Sequence, residues 1–287
     1  MSDAISPLAL ARTFLFVPGD RPERYTRALA SSAGAVVVDL EDAVAPERKD
    51  TARTQIAEGF AALPGDAHGR LLVRMNAADT PWHADDRALV ARLAAQRLVA
   101  GVVLPKAERA TDLAALAQVV GPATALLPLI ESVAGLDAAD ALAASPQVLR
   151  LVFGHLDFQA DTGMACGPDE AELVPVRLAL VLASRRAGLA PPVDGITADW
   201  RDTARLTAEA SRARRGGFGA KLCIHPQQVA GVEAAFTPSA DELTWARRVR
   251  DAVRAAGGGV VNVDGRMVDG PVVKLAERLL ARGIANR

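Results

Sequence analysis

The sequence predicts an α/β fold, a (β/α)8 barrel with a C-terminal helix–hairpin–helix appendage. Three observations carry that expectation. Eight short apolar runs recur along the 287 residues. Stretches of helical composition separate them. Several of the runs end in a charged residue, as barrel strands do at the end that carries chemistry. Alternating strand and helix argues for parallel strands under covering helices. The competing architecture is a doubly wound open sheet, but the GxGxxG fingerprint expected after its first strand is absent.

In order, the expected strands are 13–17, 35–40, 70–75, 101–105, 125–130, 149–153, 193–196 and 220–224. Runs such as AVVVDL at 35–40 and ALLPLI at 125–130 are nearly continuous in apolar residues. That pattern suits strands buried on both faces. Between them, 21–32, 49–60, 85–100 and 111–120 read as amphipathic helices rich in Ala, Leu and Arg, and 136–144, 173–187 and 198–215 continue the series. The barrel domain is expected over 1–238 and the appendage over 239–287. In the appendage, 239–256 reads as a helix capped at Gly257-Gly258-Gly259. A hairpin over 259–268 follows, turning at Asp264-Gly265. Pro271 then opens a last helix, 271–282, where proline is tolerated. The appendage looks too small to fold alone. Its apolar residues Val249, Val253, Val272, Val273, Leu275 and Leu279 call for a partner surface.

Composition removes several classes of function. The net charge is −1 and the basic residues are scattered, so no basic field points to nucleic acid or an anionic membrane. Two cysteines, Cys166 and Cys223, are too few for a disulfide framework or a zinc ribbon, and favour a reducing, cytoplasmic setting. The N-terminus lacks the basic and apolar regions of a signal peptide. No uninterrupted apolar run is long enough to span a bilayer.

The candidate chemistry lies at the strand ends. Glu131 and Asp157 follow the fifth and sixth runs, 26 residues apart, about one β-α unit. Two carboxylates at one barrel mouth can hold a divalent cation; alternatively, each caps a following helix N-terminus. An all-oxygen set with histidines and cysteines elsewhere fits magnesium better than zinc. The first strand runs into Gly19-Asp20-Arg21 with Arg24 beyond. This turn either binds a phosphate through helix N–H groups and guanidinium forks or is an ordinary turn with solvated arginines. The second strand ends in Asp39-Leu40-Glu41-Asp42, acids that can support metal-bound water or pair with a base. Arg74, ending the third strand, can hold an anion or an enolate oxygen, pair with Glu41 or Asp42, or do both. Lys106 follows the fourth strand. The acids around the mouth would keep it charged, so an ion pair is expected, not a Schiff base. His155 can line the mouth. His68 and His83 read as surface residues, and His225 as a structural hydrogen-bonding group.

Taken together, FLFVPG (14–19), VDLEDAV (38–44), LVRMN (72–76), LPK (104–106), PLIES (128–132), FGHLDF (153–158), GAKLCIHP (219–226) and DGRMVD (264–269) resemble the citrate lyase β-subunit family. That family also contains malyl-CoA and citramalyl-CoA lyases. The resemblance runs through nearly the whole chain in order. It implies a barrel with a C-terminal appendage, in homotrimers or hexamers where the appendage covers a neighbour's barrel. It implies Mg2+ on Glu131 and Asp157, a catalytic Arg74, and a catalytic Asp269 ending the DGRMVD motif. Two departures stand out. His155 and Leu156 replace the second acid that many relatives carry just before the ligand Asp, which bears on the acid moiety that fits. The chain is also shorter than typical malyl-CoA lyases, implying a reduced lid.

The expected activity is a Mg2+-dependent carbon–carbon lyase on a 3-hydroxyacyl thioester of CoA or an acyl carrier, giving an acetyl thioester and a 2-oxoacid. Arg21, Arg24 and Lys106 would meet the thioester, and Asp39 and Glu41 would support the mouth. The alternatives are a class II pyruvate aldolase, a thioesterase or malate-synthase-like activity at the same site, and a non-catalytic scaffold subunit of a lyase complex.

Overall fold

A computed structural model describes residues 6–284. A short helix, α1 (Pro7–Leu10), precedes β1 (Thr13–Pro18), and seven further strands follow. These are β2 (Ala35–Asp39), β3 (Leu71–Arg74), β4 (Gly101–Leu104), β5 (Ala125–Ile130), β6 (Val152–Phe153), β7 (Val193–Asp194) and β8 (Ala220–Cys223). Each is parallel to its sequence neighbours, and β8 pairs with β1, so the sheet is a closed barrel as the sequence predicts. The covering helices are α2 (Tyr25–Ala30), α3 (Lys49–Ala62), α4 (His83–Ala95), α5 (Ala110–Val120), α6 (Val133–Asp137), α7 (Ala139–Ala143), α8 (His155–Thr162), α9 (Val174–Arg186), α10 (Thr203–Arg215) and α11 (Pro226–Phe236).

All five residues of β2 are buried. Ala35 and Val37 join Leu72, Val103, Leu127 and Val152 in the cluster that fills the barrel. Val36 and Val38 face the opposite way, toward the helices, because successive side chains of a strand alternate. Leu8 and Ala11 belong to the same interior cluster. They are tied there by Arg150, which is fully buried. Its Nη1 donates to the Ala11 carbonyl at 2.6 Å and to that of Leu8 at 3.2 Å, and its Nε donates to Pro191 at 2.7 Å. A charge with that many acceptors is tolerable without water. It locks the amino-terminal end of the barrel, leaving the opposite end for chemistry.

Three expectations need correction. The sixth strand is two residues, not 149–153. The run is interrupted at Arg150, whose side chain is taken by the carbonyls just described, and only a single bridge, Leu126 to Val148, pairs the stretch before it. The seventh strand stops at Asp194, where Gly195 meets the His155 ring. The helix expected over 136–144 is instead α6 and α7, joined at Ala138, which ends one and begins the other.

The chain divides into two compact units, the second beginning at Ala234. In that unit, α12 (Ala240–Ala255) starts with a capping box in which Ser239 and Glu242 exchange hydrogen bonds. Strands β9 (Val261–Val263) and β10 (Arg266–Val268) pair antiparallel, and α13 (Gly270–Ile284) follows. The hairpin turn places Asp264 and Gly265 at φ 55° and 77°, the left-handed pair a type I′ turn requires. The apolar residues expected to need a partner surface largely satisfy one another. Val249 is buried with Ala246, Val263, Val268 and Ala276, and Val253, Val272, Val273 and Leu279 pack around them. Leu275 is the exception, at 50% exposure. Among the described residues no helix is long and apolar enough to cross a membrane.

Candidate active site

A cavity of about 390 Å3 opens at the carboxyl-terminal mouth of the barrel. Asp39, Asp42, Arg74, Glu131 and Asp157 contribute its charged lining.

Glu131 follows β5 directly and is buried. Its Oε1 accepts the Lys106 backbone N–H at 2.8 Å. Lys106 presents that N–H from a left-handed backbone, φ 45°, a conformation that costs a non-glycine residue energy and is often stored at functional sites. Ser132, the next residue, caps α6 by accepting from Gly135 N–H at 3.1 Å. Gly154 closes the other side: a Cβ there would stand 2.5 Å from Glu131 Oε2. Burial pushes the Glu131 carboxyl up to about 7; the Lys106 N–H pulls against this and Asp157 adds to it.

Asp157 lines the same cavity but not from a strand end. It is the third residue of α8, exposed in the first turn. One turn further on, Asp161 accepts the Val133 N–H at 2.8 Å. Residues four apart share a helix face, so this bond pins α8 beside the Glu131 loop with Asp157 toward the cavity. Among the described residues no group of three or more His, Cys, Asp or Glu is placed to hold a metal ion. A pair of carboxylates remains, one of them buried with its charge destabilised. That is a donor set magnesium accepts, because magnesium keeps several water or substrate ligands.

Arg74 stands opposite Asp39 in the β2–β3 register. Its Nε and Nη2 donate to the two Asp39 carboxylate oxygens at 2.7 and 2.6 Å. Asp39 also accepts the backbone N–H groups of Glu41 and Ala43, at 2.8 and 3.1 Å. Nη1 lies 2.8 Å from Glu41 Oε2, an ion contact, and donates to Asp42 at 3.4 Å. Burial opposes the charge on Arg74, but Asp39, Glu41 and Asp42 raise its pKa overall. Burial pushes the Glu41 carboxyl up to about 8 in spite of Arg74.

The loop carrying these acids is held from below by Lys49, a residue the sequence reading passes over. Its buried ammonium donates to the Leu40 and Glu41 carbonyls at 2.6 and 2.8 Å and to Asn76 Oδ1 at 2.7 Å. Asn76 is fixed in turn by Asp86, at 2.8 and 2.7 Å. A lysine just inside a helix start gives no signal of burial in the sequence. His155 is buried on the cavity floor, with Nε2 3.5 Å from Glu170 and Nδ1 against Gly195. Glu170, Arg177 and Asp194 form a buried ionic chain behind it, with Arg177 2.5 Å from Glu170 and 3.0 Å from Asp194. Their spacing of 7 and 17 residues matches no short motif.

Several expected residues lie differently. The Lys106 side chain is exposed and makes no ion pair among the described residues; its backbone N–H, not its ammonium, serves the site. Arg24, with Arg27 and His225, lines a second cavity of about 300 Å3 that shares Phe16, Pro18 and Ile224 with the first. Arg21 is outside that lining, half exposed and 4.0 Å from Asp20. The turn's N–H groups are also largely committed: those of Gly19, Arg21 and Arg24 donate to Asp39, Pro18 and Arg21 carbonyls. An anion there would meet guanidinium groups, not a helix N-terminus. Asp269 belongs to the second unit, where its Oδ1 accepts the Val272 N–H at 3.4 Å at the start of α13. His225 stacks on Trp200 with ring centroids 4.0 Å apart. His68 and His83 are half-buried and reach the Phe60 and Asn76 carbonyls, so neither is a free surface group.

An acid-lined cavity with one guanidinium, at the carboxyl end of a (β/α)8 barrel, has the make-up of a barrel enzyme's active site. The family model described as HpcH/HpaI aldolase/citrate lyase matches residues 12–226, and the chain belongs to this family. It is 33% identical over 285 residues to a citrate lyase subunit beta-like protein of Deinococcus radiodurans, covering 96% of this chain and 98% of that one. It is 33% identical over 277 residues to a (3S)-malyl-CoA thioesterase of Cereibacter sphaeroides, covering 96% and 95%. Among solved structures, protein CitE from Mycobacterium tuberculosis in complex with magnesium, acetoacetate and coenzyme A superposes with a TM-score of 0.81. It is 34% identical, with 95% of this chain and 98% of that one covered. The chain is thus a member of an enzyme family whose named relatives include both a lyase subunit and a thioesterase.

Proposed function

We propose that this chain is a Mg2+-dependent carbon–carbon lyase that cleaves a 3-hydroxyacyl-CoA thioester to an acetyl thioester and a 2-oxoacid. The observation that carries the proposal is the convergence of Glu131, Asp157 and Arg74 on one cavity. Glu131 and Asp157 would hold the cation. Bound there, it supplies Lewis-acid stabilisation at the substrate's hydroxyl oxygen, which becomes the keto oxygen of the product. The magnesium and coenzyme A of the CitE complex support the cofactor and carrier.

Cleavage removes the hydroxyl proton, forms the new C=O, breaks the carbon–carbon bond and leaves its electron pair as a thioester enolate. Arg74 is held by Asp39 and lines the cavity, so it is placed to stabilise the enolate oxygen. Such a donor is typically worth roughly 3–4 kcal/mol. Asp39 and Glu41 are positioning residues that act through Arg74. Asp269 of a neighbouring copy takes the hydroxyl proton and returns it to the enolate carbon. That role calls for a homotrimer or hexamer in which the unit from Ala234 onward reaches a neighbour's mouth. Arg24, in the second cavity, and Arg21, outside its lining, meet the phosphates of the carrier. Two unpaired cysteines support a cytoplasmic setting.

A second reading, hydrolysis of the same thioester, is favoured by the resemblance to the malyl-CoA thioesterase. One experiment separates them. Malyl-, citramalyl-, citryl- and 3-hydroxy-3-methylglutaryl-CoA are incubated with the protein and Mg2+, with a chelated control. The lyase releases acetyl-CoA (acetoacetate as well from the last substrate's branch, if used) and a 2-oxoacid where the acid moiety is one; the thioesterase releases free CoA and the intact hydroxyacid. No turnover by the isolated chain with any of the four contradicts both.

A further inference from the structure

Glu170 does not line the cavity, yet its surroundings constrain it heavily. The segment from Gly163 to Asp169, between α8 and α9, is largely exposed. Glu170, at its end, is only 3% exposed and holds a left-handed backbone, φ 48°. A non-glycine residue keeps that conformation only where its neighbours over-determine it, and such strain gathers at functional sites. The neighbours here are ionic. Glu170 Oε2 accepts from Arg177 of α9 at 2.5 Å and from Arg212 of α10 at 2.7 Å. Arg177 is held in turn by Asp194, the last residue of β7. A carboxylate with two guanidinium partners is tolerable without water. Its other oxygen, Oε1, faces His155 Nε2 at 3.5 Å, with Arg205 farther off at 4.0 Å.

Through His155 this chain of charges meets the mouth. His155 is the first residue of α8 and Asp157 the third. Gly154 before it offers no side-chain cap, so the first turn must be held in another way. Of the eight residues of α8 only His155 and Phe158 are buried. Phe158 packs edge-on against Phe153, and Asp161 accepts the Val133 N–H; both secure the body of the helix. His155 secures its start. Its Nε2 faces Glu170, and its Nδ1 side is closed by Gly195, where a Cβ would collide with the ring. Asp157 is exposed, so the direction of its carboxylate follows the turn that carries it.

We propose that Glu170, acting through His155, is a positioning residue for Asp157: the pair fixes the first turn of α8 so that the Asp157 carboxylate faces the cation it shares with Glu131. The inference rests on the metal reading of Glu131 and Asp157 and names what sets the second ligand. Groups that orient metal ligands are typically worth about tenfold or more in affinity.

The test is titration of the full-length protein with Mn2+, the free ion being counted by electron paramagnetic resonance, in the parent and three variants. His155→Leu removes the ring nitrogen that faces Glu170 at similar bulk and should weaken Mn2+ binding about tenfold. His155→Gln keeps an N–H within reach of Glu170 and should stay within about threefold of the parent. Gly195→Ala removes no polar group but displaces the ring, and should weaken binding as His155→Leu does. Circular dichroism checks each fold, and Gly195→Ala carries the test if His155→Leu does not fold. Parental affinity in whichever of these two is folded, or equal losses in His155→Leu and His155→Gln, overturns the proposal and leaves the metal reading standing. Failure of both to fold also overturns it, since His155 would then serve the fold alone. If the parent binds no Mn2+, or Glu131→Gln binds it as tightly as the parent, the metal reading falls and this proposal with it.

Discussion

Asp39 and Arg74 are register partners on adjacent strands, and their side chains close a two-pronged ion pair at 2.6 and 2.7 Å. Asp39 is only 1% exposed, so the pair fixes the guanidinium against a floor that cannot move away. A planar fork matches a carboxylate on two points, and an ammonium cannot reproduce it.

Arg74→Lys should therefore lower kcat by roughly 100- to 1,000-fold, the effect of losing one oxyanion donor, with little change in KM. Asp39→Ala should destabilise the fold by about 3–5 kcal/mol, because it strands a buried guanidinium. Steady-state kinetics of the first and denaturant unfolding of the second check the two outcomes. A Lys variant with parental turnover would show that Arg74 is only structural.

Arg24 lines the second cavity, and Arg21, outside that lining, is half exposed beside Asp20. If they meet the carrier's phosphates, that contact exists in ground and transition states alike. Arg24→Ala should then raise KM for a CoA thioester with a smaller effect on kcat. Arg21→Ala, outside the lining, should do so more weakly. An unchanged KM for both returns them to the solvated surface.

Glu41 gives a pH dependence with a definite sign. Burial pushes its carboxyl up to about 8, so between its ordinary value near 4.5 and about 8 the folded chain binds more protons than the unfolded one. Stability contributed by the protonated carboxyl is then lost as pH rises through that window. In chelator-treated protein, Tm should fall from pH 6.5 to 8.5 more steeply in the parent than in Glu41→Gln. Parallel slopes would show that Glu41 does not titrate there.

Much of this was legible in the sequence for a physical reason. Parallel strands buried on both faces leave unbroken apolar runs, and AVVVD at 35–39 is such a run. The residues that end those runs, Asp39, Arg74 and Glu131, could be placed at the mouth from spacing alone. Asp157 could be placed there too, but not on its element: it stands in the first turn of α8, and a strand of two residues followed by a helix reads in sequence like one longer strand. The supports were hidden for another reason. Lys49, Asn76 and Asp86 lie up to 37 positions apart, and only the barrel brings them together. Gly154 matters through a missing Cβ beside Glu131, which no local pattern announces. The self-contained core of the second unit was missed because its small apolar residues pack on one another across a hairpin and two helices.

In the proposed mechanism Asp269 links assembly to chemistry. Asp269→Asn should keep the oligomer and lose turnover, since the amide still caps α13 but cannot carry the proton. Glu131→Ala should be inactive for a different reason. Mixing the two inactive proteins should restore part of the activity, because some sites then join an intact mouth to an intact Asp269. If subunit exchange is demonstrated and no activity returns, Asp269 does not act across an interface.

The central claim is that Glu131 and Asp157 hold one divalent cation. Anomalous diffraction from crystals of the parent grown with Mn2+, which takes oxygen ligands as Mg2+ does, tests it without relying on turnover. One strong peak is expected between the two carboxylates, bonded to an oxygen of each, with loss of that peak in Glu131→Gln and Asp157→Asn crystals. A cation bound elsewhere in the cavity, or a peak that survives both substitutions, would contradict it.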